Sequence, residues 1–286
     1  MPRFLALADA IAEYVRNGDT VAMEGFTHLI PFAAGHEVIR QRRRNLTLVR
    51  MTPDLIYDQL IGMGCARKLI FSWGGNPGVG SLHRLRDAVE HGWPQSLELE
   101  EHSHAGIATA YAAGAAGLPL AILRGYVGTD LPGVNPNIRF IEDPFTGGRL
   151  AAIPSLRPDV SIVHAQRADR AGNVLLEGIV GVQKEAVLAA TCAVVTVEEV
   201  VDDLRVASPN AVVLPSWTID AIIEAPGGAR PSYAHGYYRR DNAFYTQWDT
   251  ISRERETFLT WMEANVLKQA SPPSPTPSPR SKGRGK

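Results

Sequence analysis

Cysteine is almost missing from this chain: Cys65 and Cys192 are the only two among 286 residues. They lie far apart without metal-ligand spacing, which argues against a disulfide scaffold or a zinc cluster and fits a reducing, cytoplasmic setting. An excess of either charge is lacking as well. With 29 Lys and Arg against 30 Asp and Glu, the formal net charge is −1, so nothing electrostatic indicates nucleic acid or an anionic membrane as a partner. The N-terminus, with acids at Asp9 and Glu13, has no long apolar core of the signal-peptide kind. One uncharged run, 105–123, approaches a membrane span in length. It is mostly alanine and glycine, and Pro119 interrupts it, so a buried helix to about residue 116 and a strand at 120–123 fit it better.

The familiar catalytic signatures are also absent. There is no G-x-S-x-G elbow, no cysteine with a neighbouring histidine signal and no H-E-x-x-H. Heptads and solenoid-length repeats are missing too.

What remains is an alternation of elements. Helical spacing of apolar residues marks 5–16, 32–42, 55–61, 82–90, 105–116 and 184–190, and short apolar strands fall at 20–23, 46–51, 68–73, 120–123, 138–141, 160–164 and 193–197. This pattern predicts an α/β fold, a mostly parallel sheet with helices on both faces. Ligands of such folds sit at the carboxyl ends of the strands. A final helix is expected from about 250 to 268. The segment 271–286 is rich in proline and serine, ends in four basic residues and no acid, and is expected to be a disordered tail. Residues 1–270 are read as one domain.

Several segments can carry chemistry. In the run 17–31, Gly18 stops a helix, Thr20–Met23 is a strand, and Gly25, Phe26 and Thr27 form a glycine turn leading into another helix. Backbone amides at such a turn can face an anionic or carbonyl group. A second glycine-rich loop, Gly74 to Ser81, contains Gly75, Asn76, Pro77 and Gly78, with Ser81 placed as a helix cap. It is neither a Walker loop nor a full dinucleotide fingerprint. The densest titratable cluster is Glu98, Glu100, Glu101, His102 and His104. Alternation puts Glu98 and Glu100 on one side of a strand, and Glu101 with His104 reads as an acid/base pair or as metal ligands, or else as a strand edge entering a helix with Ser103 or Glu101 near its cap. His164 ends a buried strand, Asp169 and Asn173 suit a tight turn, the pair Glu198–Glu199 follows another strand, and 224–232 is a constrained loop. No metal site is assigned.

In this order, the run at 17–31, the loop at 74–81, the 164–173 segment, Glu198–Glu199 and the 225–231 loop resemble the class I coenzyme A transferases, over about residues 5–268. More narrowly, the chain resembles the alpha (A) subunits of the glutaconate coenzyme A-transferase group. The resemblance implies a NagB/RpiA/CoA-transferase-like fold and an obligate beta subunit, in a heterodimer or heterotetramer. It also implies a coenzyme A thioester as substrate with no permanently bound cofactor, and ping-pong transfer between an acyl-CoA and a carboxylic acid. The nucleophilic glutamate of two-chain members sits in a Glu-Asn-Gly segment of the beta subunit, and no Glu-Asn-Gly occurs here. Gly25, Phe26, Thr27, Gly75, Asn76, Pro77 and Gly78 would then shape the acyl pocket. Two departures stand out: Glu24 replaces the first glycine of the usual Gly-Gly-Phe, placing a carboxylate beside the pocket, and Pro77 stands where glutaconate-type subunits carry a serine. A two-subunit hydrolase that opens a steroid-derived ring is similar too, and by position Glu101 would be its base. Transferase subunit, hydrolase subunit and non-catalytic binding protein therefore stand as the three alternatives.

Overall fold

Thirteen strands occur among the described residues, which in this computed structural model are 1–77, 80–205 and 208–269. The 271–286 tail and Gly78 lie outside them. In chain order the strands are β1 (Arg3–Phe4), β2 (Thr20–Glu24), β3 (Leu46–Arg50), β4 (Ala66–Phe71), β5 (Glu98–Glu101), β6 (Leu120–Leu123) and β7 (Arg139–Glu142). They continue as β8 (Arg149–Pro154), β9 (Val160–Asp169), β10 (Val174–Leu176), β11 (Cys192–Val201), β12 (Val212–Leu214) and β13 (Ala221–Glu224). The helices are α1 (Leu7–Tyr14), α2 (Phe32–Arg40), α3 (Leu55–Gly62), α4 (His83–His91) and α5 (His104–Ala115). After them come α6 (Leu131–Val134), α7 (Gln183–Ala189), α8 (Asn242–Arg253) and α9 (Arg255–Met262).

The main sheet runs β1-β13-β11-β9-β2-β3-β4-β5, every neighbouring pair parallel. β10 pairs antiparallel with the far end of β9, and β12 pairs antiparallel with β10. Strand alternation divides the core. Val21 and Met23 of β2 pack with α1, α2, α3, α8 and α9 on one face, whereas Ala22 packs with Ile107 and Tyr111 of α5 and Ala186 of α7 on the other. Burial on both faces is why these strands read as continuous apolar runs. The expected α/β architecture is what is found, and the parallel strands all end along one edge.

Three local expectations are revised. The strands at 120–123 and 138–141 are not part of the parallel sheet; with β8 between them they form a separate antiparallel sheet, β6-β8-β7. The last helix begins at Asn242, where the Asp241 carboxylate accepts from the Phe244 N–H, and it breaks at Glu254 before α9. Ser81 does not cap α4. Asp58 of α3 does so instead, its Oδ1 accepting from the N–H groups of Arg84 and Leu85, both at 2.9 Å. Lys68 pairs with both Glu98 and Glu100, as the alternation predicts, but Leu99 on the opposite side is exposed because β5 is the last strand of the sheet. Helix α5 is tightly packed as expected: a Cβ at Gly114 would lie 1.9 Å from the Leu156 carbonyl oxygen. No helix among the described residues is long and apolar enough to cross a membrane.

Candidate active site

The turn after β2 sits at the carboxyl edge of the sheet and doubles back on itself. A Cβ on Gly25 would lie 2.8 Å from the Leu29 carbonyl oxygen and 2.9 Å from that of His28. Thr27 (φ 58°) and Leu29 (φ 52°) adopt left-handed backbone, which non-glycine residues enter at a cost of about 1–2 kcal/mol. Tertiary bonds hold them there. Ser232 Oγ donates to the Thr27 carbonyl at 3.1 Å, and the Leu29 N–H donates to that of Tyr233 at 3.0 Å. His28 is fully buried, and its Nε2 accepts from the His235 N–H at 2.9 Å. That nitrogen therefore carries no proton, and Nδ1–H faces the Ile179 carbonyl at 3.3 Å. Burial pushes the imidazole pKa down to about 4, so it is neutral at pH 7.

Beneath this turn lies a buried charged group that the sequence does not announce. Glu24 is 2% exposed, so its carboxylate lies inside the protein. The reason is the phase of β2, which turns Glu24 toward α5. Its Oε1 accepts from the Met51 N–H and the Tyr111 hydroxyl, each at 3.0 Å. Arg50, on β3, donates to Asp54 Oδ1 at 2.8 Å and to the Gly25 carbonyl at 2.7 Å. Burial raises the Glu24 pKa to about 7, against the lowering effects of Arg50 and the two donors. A raised carboxyl pKa stabilises the fold below about pH 4.5 and loses that contribution as pH climbs through 7. Glu24→Gln keeps the acceptor and removes the titration. Urea unfolding is expected to show the variant about 1–3 kcal/mol more stable than wild type at pH 8 and no more stable at pH 5.

The second glycine loop is tied to the same region. Gly75 N–H donates to the Pro53 carbonyl at 3.2 Å, and the Asn76 side chain, buried, donates to that of Tyr245 at 2.7 Å. The Pro77 carbonyl accepts from Arg240. Trp73 projects beside the loop, 46% exposed. Ser72 and His104 meet nearby: the Ser72 hydroxyl donates to the Met51 carbonyl at 2.6 Å, so its oxygen accepts from His104 Nδ1–H at 3.2 Å. The His104 ring lies edge-on to Phe26, centroids 6.4 Å apart. Phe26, Ser72 and His104 thus converge at the ends of three parallel strands. The sequence does not single out Ser72, although its place at the end of the 68–73 strand is a usable signal.

Most of the titratable cluster at 98–104 is occupied internally. Burial would raise the Glu100 pKa, but bonds from His102 (2.9 Å), Lys68 (2.8 Å) and Asn137 outweigh it and hold the carboxyl at about 2. His102 also faces the Tyr126 hydroxyl. Ser103 caps α5 by accepting from the Gly106 N–H. Glu101 differs: its side chain is exposed and without a hydrogen-bond partner among the described residues, while its carbonyl accepts from Asn135. It borders a hollow of about 230 Å³ lined by Leu99, Val134 and Asn135, and in the sheet register it lies opposite Phe71, the residue before Ser72.

His164 and Glu198 are a structural pair. His164 is fully buried, bonded to Thr196 Oγ1 at 2.8 Å and Glu198 Oε1 at 2.7 Å. Glu198 also accepts from Tyr238 and from the Gly227 N–H. Burial would raise its pKa, but these donors hold it below the ordinary carboxylate value. The pair pins the 224–232 loop, which in turn pins the glycine turn. Asp169 and Asn173 close a tight turn as expected, with the Asn173 N–H on Asp169 Oδ1 at 2.8 Å.

Known proteins share this sequence pattern and this fold. The family model described as Coenzyme A transferase matches residues 4–225. The A subunit of the 3-oxoadipate CoA-transferase of Pseudomonas knackmussii is 66% identical over 266 residues, 93% of this chain and 94% of that one. The A subunit of the glutaconate CoA-transferase of Acidaminococcus fermentans is 33% identical, covering 90% and 86%. The crystal structure of that glutaconate enzyme superposes with a TM-score of 0.86 over 93% of this chain and 89% of the matched one. A cholesterol ring-cleaving hydrolase IpdA subunit of Mycobacterium tuberculosis is 28% identical, covering 84% of each. With a family model spanning most of its length and relatives alike from end to end, this chain belongs to the coenzyme A transferase family.

Proposed function

We propose that this chain is the A subunit of a heteromeric CoA-transferase that moves CoA from an acyl-CoA to 3-oxoadipate. The observation that carries the reading is the 66% identity to the A subunit of a 3-oxoadipate CoA-transferase, along nearly the whole of both chains. Pro77 in place of a serine hydroxyl agrees with a substrate other than glutaconate. The partner's glutamate carboxylate attacks the thioester carbonyl and expels CoA thiolate, leaving an acyl anhydride. The thiolate then attacks the glutamyl carbonyl, releases the first acid and leaves a glutamyl-CoA thioester for the second acid to reverse the sequence. Coenzyme A enters as a substrate thioester and not as a resident cofactor. Gly25, Phe26 and Thr27 with Gly75, Asn76 and Pro77 form one wall of the acyl pocket, and backbone amides of the turn stabilise the developing oxyanion. The site is completed by the beta subunit, in a heterodimer or larger assembly in the cytoplasm, and residues 1–270 act as one domain.

The test is to assay this chain alone and with its beta-type partner, using 3-oxoadipate and a panel of acyl-CoA donors, and to detect 3-oxoadipyl-CoA by mass spectrometry. The complex is expected to turn over and the single chain to show less than about 1% of that rate, since it lacks the nucleophile. A second reading, hydrolysis with Glu101 as general base, rests on the free, exposed carboxylate of Glu101 and on the hydrolase relative. Glu101→Gln is expected to leave CoA transfer within about threefold of wild type. Loss of turnover in that variant, in a complex whose partner has no active-site glutamate, would move the assignment to hydrolysis.

A further inference from the structure

Arg50 is a full positive charge inside the molecule, 1% exposed, on a strand where apolar side chains would pack without desolvation cost. One side of its guanidinium pairs with Asp54 at 2.8 Å. The other side, Nη2, donates to the Gly25 carbonyl at 2.7 Å. The Gly25–Phe26 peptide is trans, so its C=O and N–H point in opposite directions. Fixing the carbonyl toward Arg50 therefore fixes the Phe26 N–H away from it. That N–H has no acceptor among the described residues. Phe26 is only partly buried, so this donor is open to a ligand, and it lies at the edge of the sheet where the acyl substrate is placed by the functional reading above.

We propose that Arg50 is a positioning residue for acyl transfer, holding the Gly25 carbonyl from below so that the Phe26 N–H is aimed at the acyl oxygen. The inference rests on the CoA-transferase reading. In the step concerned, a carboxylate oxygen of the partner bonds to the thioester carbon and the carbonyl π pair moves onto oxygen. The pair returns as the C–S bond breaks and sulfur leaves as thiolate, with no proton transferred. A donor fixed before the reaction serves the negative oxygen in between and costs no reorganisation at that moment. Arg50 itself touches no substrate. Its planar fork spans Asp54 and the turn together, which a lysine cannot reproduce.

Kinetics of the assembled complex test this with three variants. Asp54→Asn keeps the guanidinium on the Gly25 carbonyl, and its kcat is expected to stay within about threefold of wild type. Arg50→Met combined with Asp54→Asn removes both members of the ion pair and takes the donor off the carbonyl, leaving Glu24 with the Met51 N–H and Tyr111 hydroxyl as its donors. Its kcat is expected to fall about 100-fold with KM changed less than about threefold, the signature of an interaction made in the transition state. Arg50→Lys, with a single donor head, should fall between the two, and it decides the matter if the double variant does not assemble. A double variant, or failing assembly an Arg50→Lys variant, with wild-type kcat would overturn the proposal, as would a rise in KM alone. A wild-type complex that transfers no CoA would instead sink the functional reading on which it rests.

Discussion

Gly25→Ala is expected to lower kcat for CoA transfer about 100-fold in the assembled complex, because misplacement of a pocket wall by a fraction of an ångström to about one ångström is enough for such a loss. The cause is steric. The new methyl would lie 2.8 Å from the Leu29 carbonyl oxygen, 2.9 Å from that of His28 and 3.0 Å from the Ile30 Cα, all backbone atoms. None can swing aside as a side chain would. The turn is also tied down by Arg50 on the Gly25 carbonyl, Ser232 on the Thr27 carbonyl and Tyr233 on the Leu29 N–H, so relief requires those bonds to stretch. The accompanying stability loss should be about 1–3 kcal/mol, the usual cost of overpacking. Gly18→Ala is the matched control. Gly18 has φ +90° and nothing within 4 Å of an added Cβ. That substitution should cost stability through backbone strain, of about 1–2 kcal/mol, and leave kcat unchanged. Steady-state kinetics and urea unfolding of both variants separate the two roles of glycine.

Asp58→Ala should be strongly destabilising, at about 3–5 kcal/mol, more than any other single change proposed above. Asp58 is fully buried and serves three donors: the N–H groups of Arg84 and Leu85 on Oδ1, and Trp248 Nε1 on Oδ2, each at 2.9 Å. One carboxylate thus caps α4 and anchors the buried indole of α8 to α3. Alanine leaves all three donors without an acceptor, and a lost partner for a buried donor costs about 1–3 kcal/mol each before relaxation. The penalty should also depend on pH. Burial raises the Asp58 pKa to about 6, against the lowering bonds from Leu85, Trp248 and Arg84. The folded protein therefore holds a proton that the unfolded chain releases between about pH 4 and 6, so wild-type stability from this group declines across that window. The gap between wild type and Asp58→Ala should narrow by about 2–3 kcal/mol from pH 4 to pH 7. Chemical denaturation at the two pH values reads it directly, and a gap constant with pH would contradict the assignment.

The parallel sheet is legible in the sequence because its strands are short apolar runs separated by helical periods, and burial on both faces removes any ambiguity of phase. Sheet membership of 120–123 and 138–141 is not. Their common partner is the alanine-containing strand Arg149–Pro154, whose composition does not signal a strand, and without it the two flanking strands look like further members of the main sheet. Asp241 ahead of α8 is a cap that apolar spacing alone does not reveal. In the candidate site, glycines announce the turn at 25–27 because close approach leaves a compositional mark. Glu24, Arg50 and Asp58 leave none. Each is a charged residue in an otherwise apolar element, and a sequence alone reads such a residue as facing solvent. What buries Asp58 is Trp248, 190 positions later, and what covers Glu24 is Tyr111 of α5, 87 positions later, on the face of the sheet that Glu24 points to.

In the proposed function this chain supplies a pocket wall and its partner supplies the nucleophile. The direct measurement is to incubate the assembled complex with acyl-CoA, trap the intermediate with borohydride or hydroxylamine, and weigh the two chains separately. A glutamate of the partner is expected to be modified while the mass of this chain is unchanged. Modification of a carboxylate on this chain, or turnover with no trapped glutamyl-CoA thioester on either chain, would contradict that assignment.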